Sequence, residues 1–292
     1  MAPLVGSGLW FGSQKAAIGL FFLSSSSTST PSVTNKINFT TGNVSAGTSL
    51  SAGITTGGAA AGNYLFGIVL LAQNSTPSPI NKYIYSNDSV LTETSLNQNG
   101  YYFIATGNST TGLFCGPGNN SGPGTTFLYN YSSGSFSSGT SLIDDQMQGQ
   151  ATGNNSLALI ATGSSTVTAT NIYTYSNNTV TQGTALTNNA QQGAGGFGTS
   201  TKGYIQVVSS TNSAYDIYDY SSNSITTTSN NPFSSFMGAS CSNSNTGLIS
   251  IGNSTSTMYS CNMNTNSFSS SSSLTSTTNA GGGAVSTIPG GF

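Results

Sequence analysis

The chain has 292 residues, of which only 3% are charged, and its formal net charge at neutral pH is -2. Its four cationic side chains are all Lys, and it contains no His. Nucleic-acid interfaces and polybasic membrane-binding patches both need many Lys or Arg side chains, so the composition excludes both kinds of surface. Disordered chains combine high net charge with few aromatics, whereas 10% of this chain is aromatic, which indicates a folded protein.

The first predicted element in chain order follows Lys15, where the mostly apolar residues 16–23 precede a run of Ser. This pattern is similar to a short signal peptide. Comparable apolar segments recur later, at residues 64–72, 112–116, 157–163, 203–209 and 247–252. We therefore interpret it as a strand of the first repeat and expect no export signal. Because a membrane-spanning helix takes about 20 apolar residues, we also expect no membrane insertion.

A longer phrase recurs every 41 to 46 residues along the chain. Its first copy runs from Ile37 to Leu50 and combines Ile-Asn-Phe, a polar turn, Val and Gly-Thr-x-Leu. Later copies occupy residues 84–96, 128–142, 172–186, 217–228 and, in degraded form, 258–274. The second aromatic position holds Phe39, Tyr85, Tyr131, Tyr175 and Tyr220, and Cys261 is assigned to it in the sixth copy. A fixed period of this size predicts a repeat architecture.

Each repeat divides into four predicted strands. In the second repeat these are a small-residue strand at 52–63, an apolar strand at 64–72, a Tyr-containing strand at 80–86 and a last strand at 89–96. The turn before the last strand is rich in Asn and Gly, which tolerate the positive φ of tight hairpins. Four strands per repeat, with inner strands rich in Gly and Ala, predict the blades of an all-β propeller, because small residues relieve crowding at its axis. Such small-residue segments lie at 59–62, 193–196 and 281–284.

The order of these pieces resembles the kelch repeat. In residues 217–225 and again in 172–180, a strand containing Tyr is followed by a polar turn and a large apolar residue, as in that family. The family's Gly-Gly pair is approximated by Thr106-Gly107, Thr162-Gly163 and Ser209-Ser210, and its Trp is replaced by Val, Ile or Phe. The resemblance implies a β-propeller. Kelch-like arrays as polar and charge-poor as this one resemble those of bacteriophage structural proteins and bacterial surface proteins.

We predict a single propeller domain over residues 1–292, with six blades and seven as the alternative. The six blades are expected at about residues 8–50, 52–96, 98–142, 147–186, 190–229 and 236–274. Residues 275–292 form a tail that begins another inner strand. Three roles are open for this tail: a partial seventh blade, a strand that closes the ring beside the first blade, or a contact with a neighbouring subunit.

No group of residues predicts a catalytic, cofactor-binding or metal site. Asp144 and Asp145 are the only adjacent carboxylates, but neighbours on a strand point to opposite faces, so we assign them to a solvated loop. Asp216 and Asp219 offer oxygen ligands for Ca²⁺, yet no calcium-loop spacing surrounds them, so we expect no metal there.

Three cysteines, Cys115, Cys241 and Cys261, lack the spacing of a disulfide framework or a zinc site, and we predict half-buried free thiols. Cys241 and Cys261 are expected on strands separated by a third strand, too far apart to bridge. The aromatic pairs Trp10-Phe11 and Tyr101-Tyr102 have faces that could stack on sugars, but we favour packing against the protein.

These features predict a non-enzymatic structural protein of a virus particle, either a phage capsid decoration or a tail component, that mediates assembly or surface attachment. Free cysteines fit assembly in the reducing host cytoplasm, and Met1 with no clear signal fits the same location. The expected partners are other virion proteins, copies of itself or a host-surface glycan. Two alternatives are an extracellular or cell-surface adhesin or lectin that binds glycans through loops, and a subunit of an extracellular filament that donates its tail.

Overall fold

The computed structural model is all-β and consists of six four-stranded antiparallel sheets. It describes residues 17–23, 32–54, 57–72, 77–98, 100–117, 124–144, 149–161, 168–190, 195–208, 213–228, 238–251, 255–277 and 283–286. These ranges contain no helix, and therefore no helix that is long and apolar enough to cross a membrane. The Trp10-Phe11 pair and Asp145 lie outside the described residues.

Each sheet is one blade, and its strands follow one another in chain order from the axis outward in blades two to six. Blade one contains β1 Ile18–Phe22, β2 Thr34–Asn38 and β3 Val44–Gly47. Blade two contains β4 Ala59–Gly62, β5 Phe66–Leu70, β6 Ser78–Ile84 and β7 Ser89–Leu96. Blade three contains β8 Ile104–Gly107, β9 Thr111–Cys115, β10 Thr126–Asn130 and β11 Ser135–Ser138.

The remaining three blades repeat this plan. Blade four contains β12 Gln150–Gly153, β13 Leu157–Ala161, β14 Thr170–Thr174 and β15 Thr179–Gln182. Blade five contains β16 Phe197–Gly198, β17 Lys202–Val208, β18 Ser213–Asp219 and β19 Ser224–Thr228. Blade six contains β20 Ser240–Ser242, β21 Thr246–Ser250, β22 Met258–Asn262 and β23 Ser267–Ser270, and the last strand of the chain is β24 Gly283–Ser286.

The ring is closed by the C-terminal strand. β24 pairs antiparallel with β1, with Gly19 opposite Ser286 and Phe22 opposite Gly283, and becomes the inner strand of blade one. Blade one is therefore not built from residues 8–50 alone. Without this pairing β1 would be a bare edge, which presents unpaired backbone groups to other chains. Six closed blades confirm the six-bladed prediction.

The apolar core is divided among six clusters, one at each seam between neighbouring blades. Strand β5 shows why its sequence is continuously apolar. Phe66, Ile68 and Leu70 pack with residues of blade three, while Val69 and Leu71 pack with residues of blade one. Because alternate residues of a strand point to opposite faces, the second strand of a blade is buried on both sides.

One residue with positive φ lies in the hairpin turn before each outer strand: Gly42, Asp88, Gly134, Asn178, Asn223 and Asn266. This confirms the expected turn chemistry, since Gly, Asn and Asp are the residues that tolerate this conformation. It also corrects one alignment. Tyr131 precedes Gly134 by the same interval as Met263 precedes Asn266, so Met263, not Cys261, occupies the second aromatic position of the sixth repeat.

Candidate functional site

The axis of the propeller is a narrow channel lined mostly by small residues from all six inner strands, with Tyr102 and Phe103 at one end and Phe197 at the other. Its two ends form cavities of about 60 Å³ and about 100 Å³. Sites for drug-sized ligands usually measure about 300–1,000 Å³. The channel therefore has room for water but not for an organic substrate.

A groove of about 570 Å³, larger than either end of the axial channel, lies on the seam between blades six and one. We call it the seam groove. Blade one contributes residues 38–42, and blade six contributes Thr246, Leu248, Ser260, Asn262, Ser267 and residues 269–272. Apart from Phe39, Leu248 and Gly42, these residues all carry hydroxyl or amide side chains, and none is charged.

A repeated contact, which we call the turn clamp, explains why the groove lies at this seam. The Thr of the Gly-Thr-x-Leu phrase in one blade bonds to the positive-φ turn residue of the next blade. Thr140 donates its backbone N–H to Asn178 Oδ1 at 2.9 Å and its hydroxyl to the Asn178 carbonyl oxygen at 2.5 Å. Thr184 makes the same two bonds to Asn223, at 3.1 and 2.5 Å.

Two further seams are bridged by the turn residue in related ways. Between blades one and two, the Thr48 hydroxyl donates to the Asp88 carbonyl oxygen at 2.5 Å, and Lys36 forms an ion pair with the Asp88 carboxylate at 2.5 Å. Between blades five and six, the Tyr204 hydroxyl donates to Asn266 Oδ1 at 2.7 Å. In all four seams the turn residue therefore contributes a side-chain oxygen to the neighbouring blade.

Gly42 and Gly134 are the two turn residues that have no side chain to contribute. Beside Gly134, Glu93 of blade two approaches the turn, and a Cβ added to Gly134 would lie 4.0 Å from its Oε2. Beside Gly42, a Cβ would meet only Ser272 Oγ, at 3.9 Å. The seam groove is the space that a turn clamp would fill between blades six and one.

A second repeated contact, the crossover clamp, ties the residue after the phrase Leu to a buried Asn or Asp in the next blade. The backbone N–H of Ser51 donates to Asn81 Oδ1 at 2.8 Å, and that of Ile143 donates to Asn171 Oδ1 at 2.8 Å. Asn35 accepts from Thr275 N at 2.8 Å, which joins the last blade to the first. In each of these contacts the buried Oδ1 is satisfied by a backbone N–H, as buried polar atoms generally are.

Asp216 is the acidic member of the crossover clamp, which explains a residue considered for Ca²⁺ binding. Its side chain is fully buried, and its Oδ2 accepts from Thr187 N at 2.7 Å. Its Oδ1 accepts from the hydroxyls of Thr187 and Thr227, both at 2.7 Å. Both carboxylate oxygens thus serve the seam between blades four and five.

Asp219 and Asp144 have separate local roles. The Asp219 carboxylate caps its own turn by accepting from Ser221 Oγ and from the Ser221 and Ser222 N–H groups, and these bonds lower its pKa to about 2. Asp144 Oδ2 accepts from Asn171 Nδ2 at 3.2 Å. The structure does not bring Asp216 and Asp219 together, and within the described residues no three acids, Cys or His cluster as metal ligands.

The three cysteines are free and buried, more deeply than the half-burial expected. Strand β21 separates Cys241 on β20 from Cys261 on β22, as predicted. Burial raises the pKa of the Cys261 thiol to about 12 and raises the pKa values of Cys115 and Cys241 as well. A thiol held neutral in this way is a poor nucleophile.

Tyr101 and Tyr102 pack against each other, with ring centroids 6.2 Å apart, and Tyr102 lies at one end of the axial channel. Tyr102 has a positive φ and leaves so little space beside Gly57 that an added Cβ there would lie 2.6 Å from its Cα. Tyr102 thus packs against Gly57, while both rings of the pair are only half-buried.

Sequence reasoning missed a second set of turns, between the inner and second strands. Asn108 Oδ1 accepts from Thr110 N at 2.9 Å and Thr111 N at 2.8 Å, and equivalent caps are made by Asn63, Asn154, Thr199 and Asn243. The signal was present, because each capping residue directly follows the small inner strand. Asn, Asp, Ser and Thr favour such positions since their side chains accept from the backbone two or three residues on.

No protein-family model matches the chain, and no curated protein sequence matches it. Among solved structures, the chain is similar to the crystal structure of TolB from Acinetobacter baumannii, with a TM-score of 0.65. That alignment covers 94% of this chain and 67% of the TolB chain, at 10% sequence identity. The chain has a β-propeller fold. At this identity the likeness shows the fold alone, so the kelch resemblance and the phage origin stay predictions.

Proposed function

We propose that this propeller is a non-enzymatic structural component of a virus particle, as a capsid decoration or part of a tail, where it mediates assembly or surface attachment. The observation that supports this proposal is that the acidic side chains of the described residues all take part in structural contacts. Each of the five described acids has a structural partner: Asp88 with Lys36, Glu93 with Lys82, Asp144 with Asn171, Asp216 with Thr187, and Asp219 with its own turn.

The outer surface supports the same proposal. The outer strands β11, β15 and β23 expose Ser, Thr and Gln side chains, which are soluble through hydrogen bonds rather than charge. A rigid closed ring with a neutral hydroxyl-rich exterior suits a particle component, because contacts with neighbours then depend little on salt. The tail strand completes the chain's own first blade, so we do not carry the tail-donating filament forward.

The test is the location of the protein. Particles banded in a density gradient from lysed cultures that carry the gene are analysed by mass spectrometry and by immunogold electron microscopy. We expect the chain to band with the particles and to be labelled at regular positions on capsid or tail. Recovery of the chain only from the surface of uninfected cells would contradict the proposal.

A further inference from the structure

We propose that the seam groove is a binding site for a neutral oligosaccharide. Its volume of about 570 Å³ lies within the range of about 300–1,000 Å³ that small-ligand sites occupy. It is several times larger than either end of the axial channel. This inference does not depend on the particle proposal, since a glycan site can serve a virion or a cell surface equally.

The chemistry of the lining favours sugar over other ligands. Ser and Thr hydroxyls both donate and accept, as sugar hydroxyls do, whereas anionic or cationic ligands need opposite charges that the lining lacks. Phe39, which is only partly buried, supplies an apolar area in the groove, and the buried Leu248 packs in the core cluster behind it. A sugar ring offers the matching combination of hydroxyl groups and an apolar C–H face, and an aromatic ring can pack on that face.

Two amide side chains in the groove are already oriented. Asn38 Oδ1 accepts from Thr40 N at 2.8 Å and Thr41 N at 3.0 Å. Asn262 Oδ1 accepts from Asn264 N at 3.0 Å. Since the carbonyl oxygens are held by their own turns, each of these amides keeps its nitrogen as a donor group at the groove. Donors fixed before binding lose little conformational entropy when a ligand arrives.

The repeat itself provides the sharpest test. Gly42→Asn places at this turn the residue found at three other turns, and Asn tolerates the φ of 69° there. Its side chain would extend toward Ser272 and occupy the groove as a turn clamp does at the other seams. The matched control, Gly134→Asn, makes the same change in blade three, far from the groove.

A second pair of variants covers the chance that the turn change alters folding. Ser269→Phe adds a bulky ring on β23 at the groove, and Ser137→Phe adds it on β11. The two outer strands have the same sequence, Ser-Phe-Ser-Ser, and the same burial pattern. Each pair makes the same substitution at two different seams. Within the second pair, Ser269 Oγ contacts Ser260 Oγ at 2.9 Å whereas Ser137 lies opposite Leu128, so the thermal melt of each variant is needed to separate this local difference from an effect on the groove.

Binding is measured by isothermal titration with cellohexaose, maltohexaose, mannohexaose and N-acetylchitohexaose, and thermal melting checks the fold of each variant. We expect the wild type and both blade-three controls to bind at least one of these sugars, and Gly42→Asn and Ser269→Phe to bind it at least tenfold more weakly. Absence of binding to all four sugars, or equal binding by the groove variants, overturns the proposal. Loss of self-association in Gly42→Asn without any sugar binding also overturns it, and identifies the groove as a protein contact. Neither result bears on particle location, so the two proposals fail separately.

Discussion

Removing the carboxylate of Asp216 is the most direct test of how the blades are held together. Asp216→Ala deletes the acceptor for Thr187 N and for two Thr hydroxyls. The hydroxyls of Thr187 and Thr227 lie on exposed residues and can rotate toward other partners, but the part-buried Thr187 N–H cannot. Leaving that N–H without its acceptor costs an amount toward the lower end of the range of about 1–3 kcal/mol for an unsatisfied buried group. Each hydrogen bond to a charged group contributes about 1.5–3 kcal/mol to the free energy of unfolding. Removing the carboxylate also removes the cost of burying it, which offsets part of this loss. We therefore expect the free energy of unfolding to fall by about 2–4 kcal/mol.

For a domain of this size, each kcal/mol lowers the thermal midpoint by about 2–4 °C, so the midpoint of Asp216→Ala should fall by roughly 5–15 °C. Asp216→Asn should lose less than about 1 kcal/mol, because Asn35, Asn81 and Asn171 fill the same role in other blades. Asp219→Ala, on the same strand but half-buried and bonded only within its own turn, is the matched control and should shift the midpoint less. Circular dichroism melts measure all three variants. If Asp216→Ala melts with Asp219→Ala, the crossover clamp does not stabilise the ring.

Three further predictions concern the ring, its pH response and the turn clamp. Deletion of Gly283–Ser286 removes the partner of β1. It should lower the thermal midpoint by more than 10 °C, which corresponds to a loss of about 3 kcal/mol or more in the free energy of unfolding, and should cause association that light scattering detects. A monomer with an unchanged midpoint would refute closure by β24. The thermal midpoint should stay level from pH 5 to about 9 and fall above pH 9. Burial raises the pKa values of the three thiols above their unfolded value of about 9. Burial also raises the pKa values of Tyr129, Tyr173 and Tyr204 from 10.0 to about 12. The unfolded chain then releases protons that the folded chain keeps, so unfolding becomes easier as pH rises; a steep change between pH 5 and 8 would contradict this. Asn178→Gly keeps the positive φ but deletes the clamp, and it should cost about 1–2 kcal/mol in urea unfolding, more than Asn177→Gly next to it.

The strands and their turns were predictable because their causes are local. Apolar runs such as Phe66–Leu70 and polar turns such as 86–89 are visible in a short window of sequence, and repetition made six weak signals agree. Errors arose where a repeat was degraded. The sixth copy replaces the tyrosines with Cys261 and Met263, so its register was uncertain until the positive φ of Asn266 marked the turn.

The candidate site was not predictable, because it depends on which residues meet across a seam. Gly42 looks like any turn glycine in the sequence, and its importance comes from facing Ser272 of the last blade. Asp216 likewise looks like a possible metal ligand until Thr187 and Thr227 are seen to occupy its oxygens.

By itself, the sequence determined the all-β class and the order of strands in blades two to six, and favoured six blades over seven, since hydrophobic alternation and turn chemistry act over a few residues. Only the tertiary structure decided that β24 completes blade one, that Asn35 joins Thr275, and that a groove remains beside Gly42 at the seam between blades six and one. Each of these depends on bringing the two ends of the chain together. That contact is set by the curvature summed over six blades, which no local segment contains.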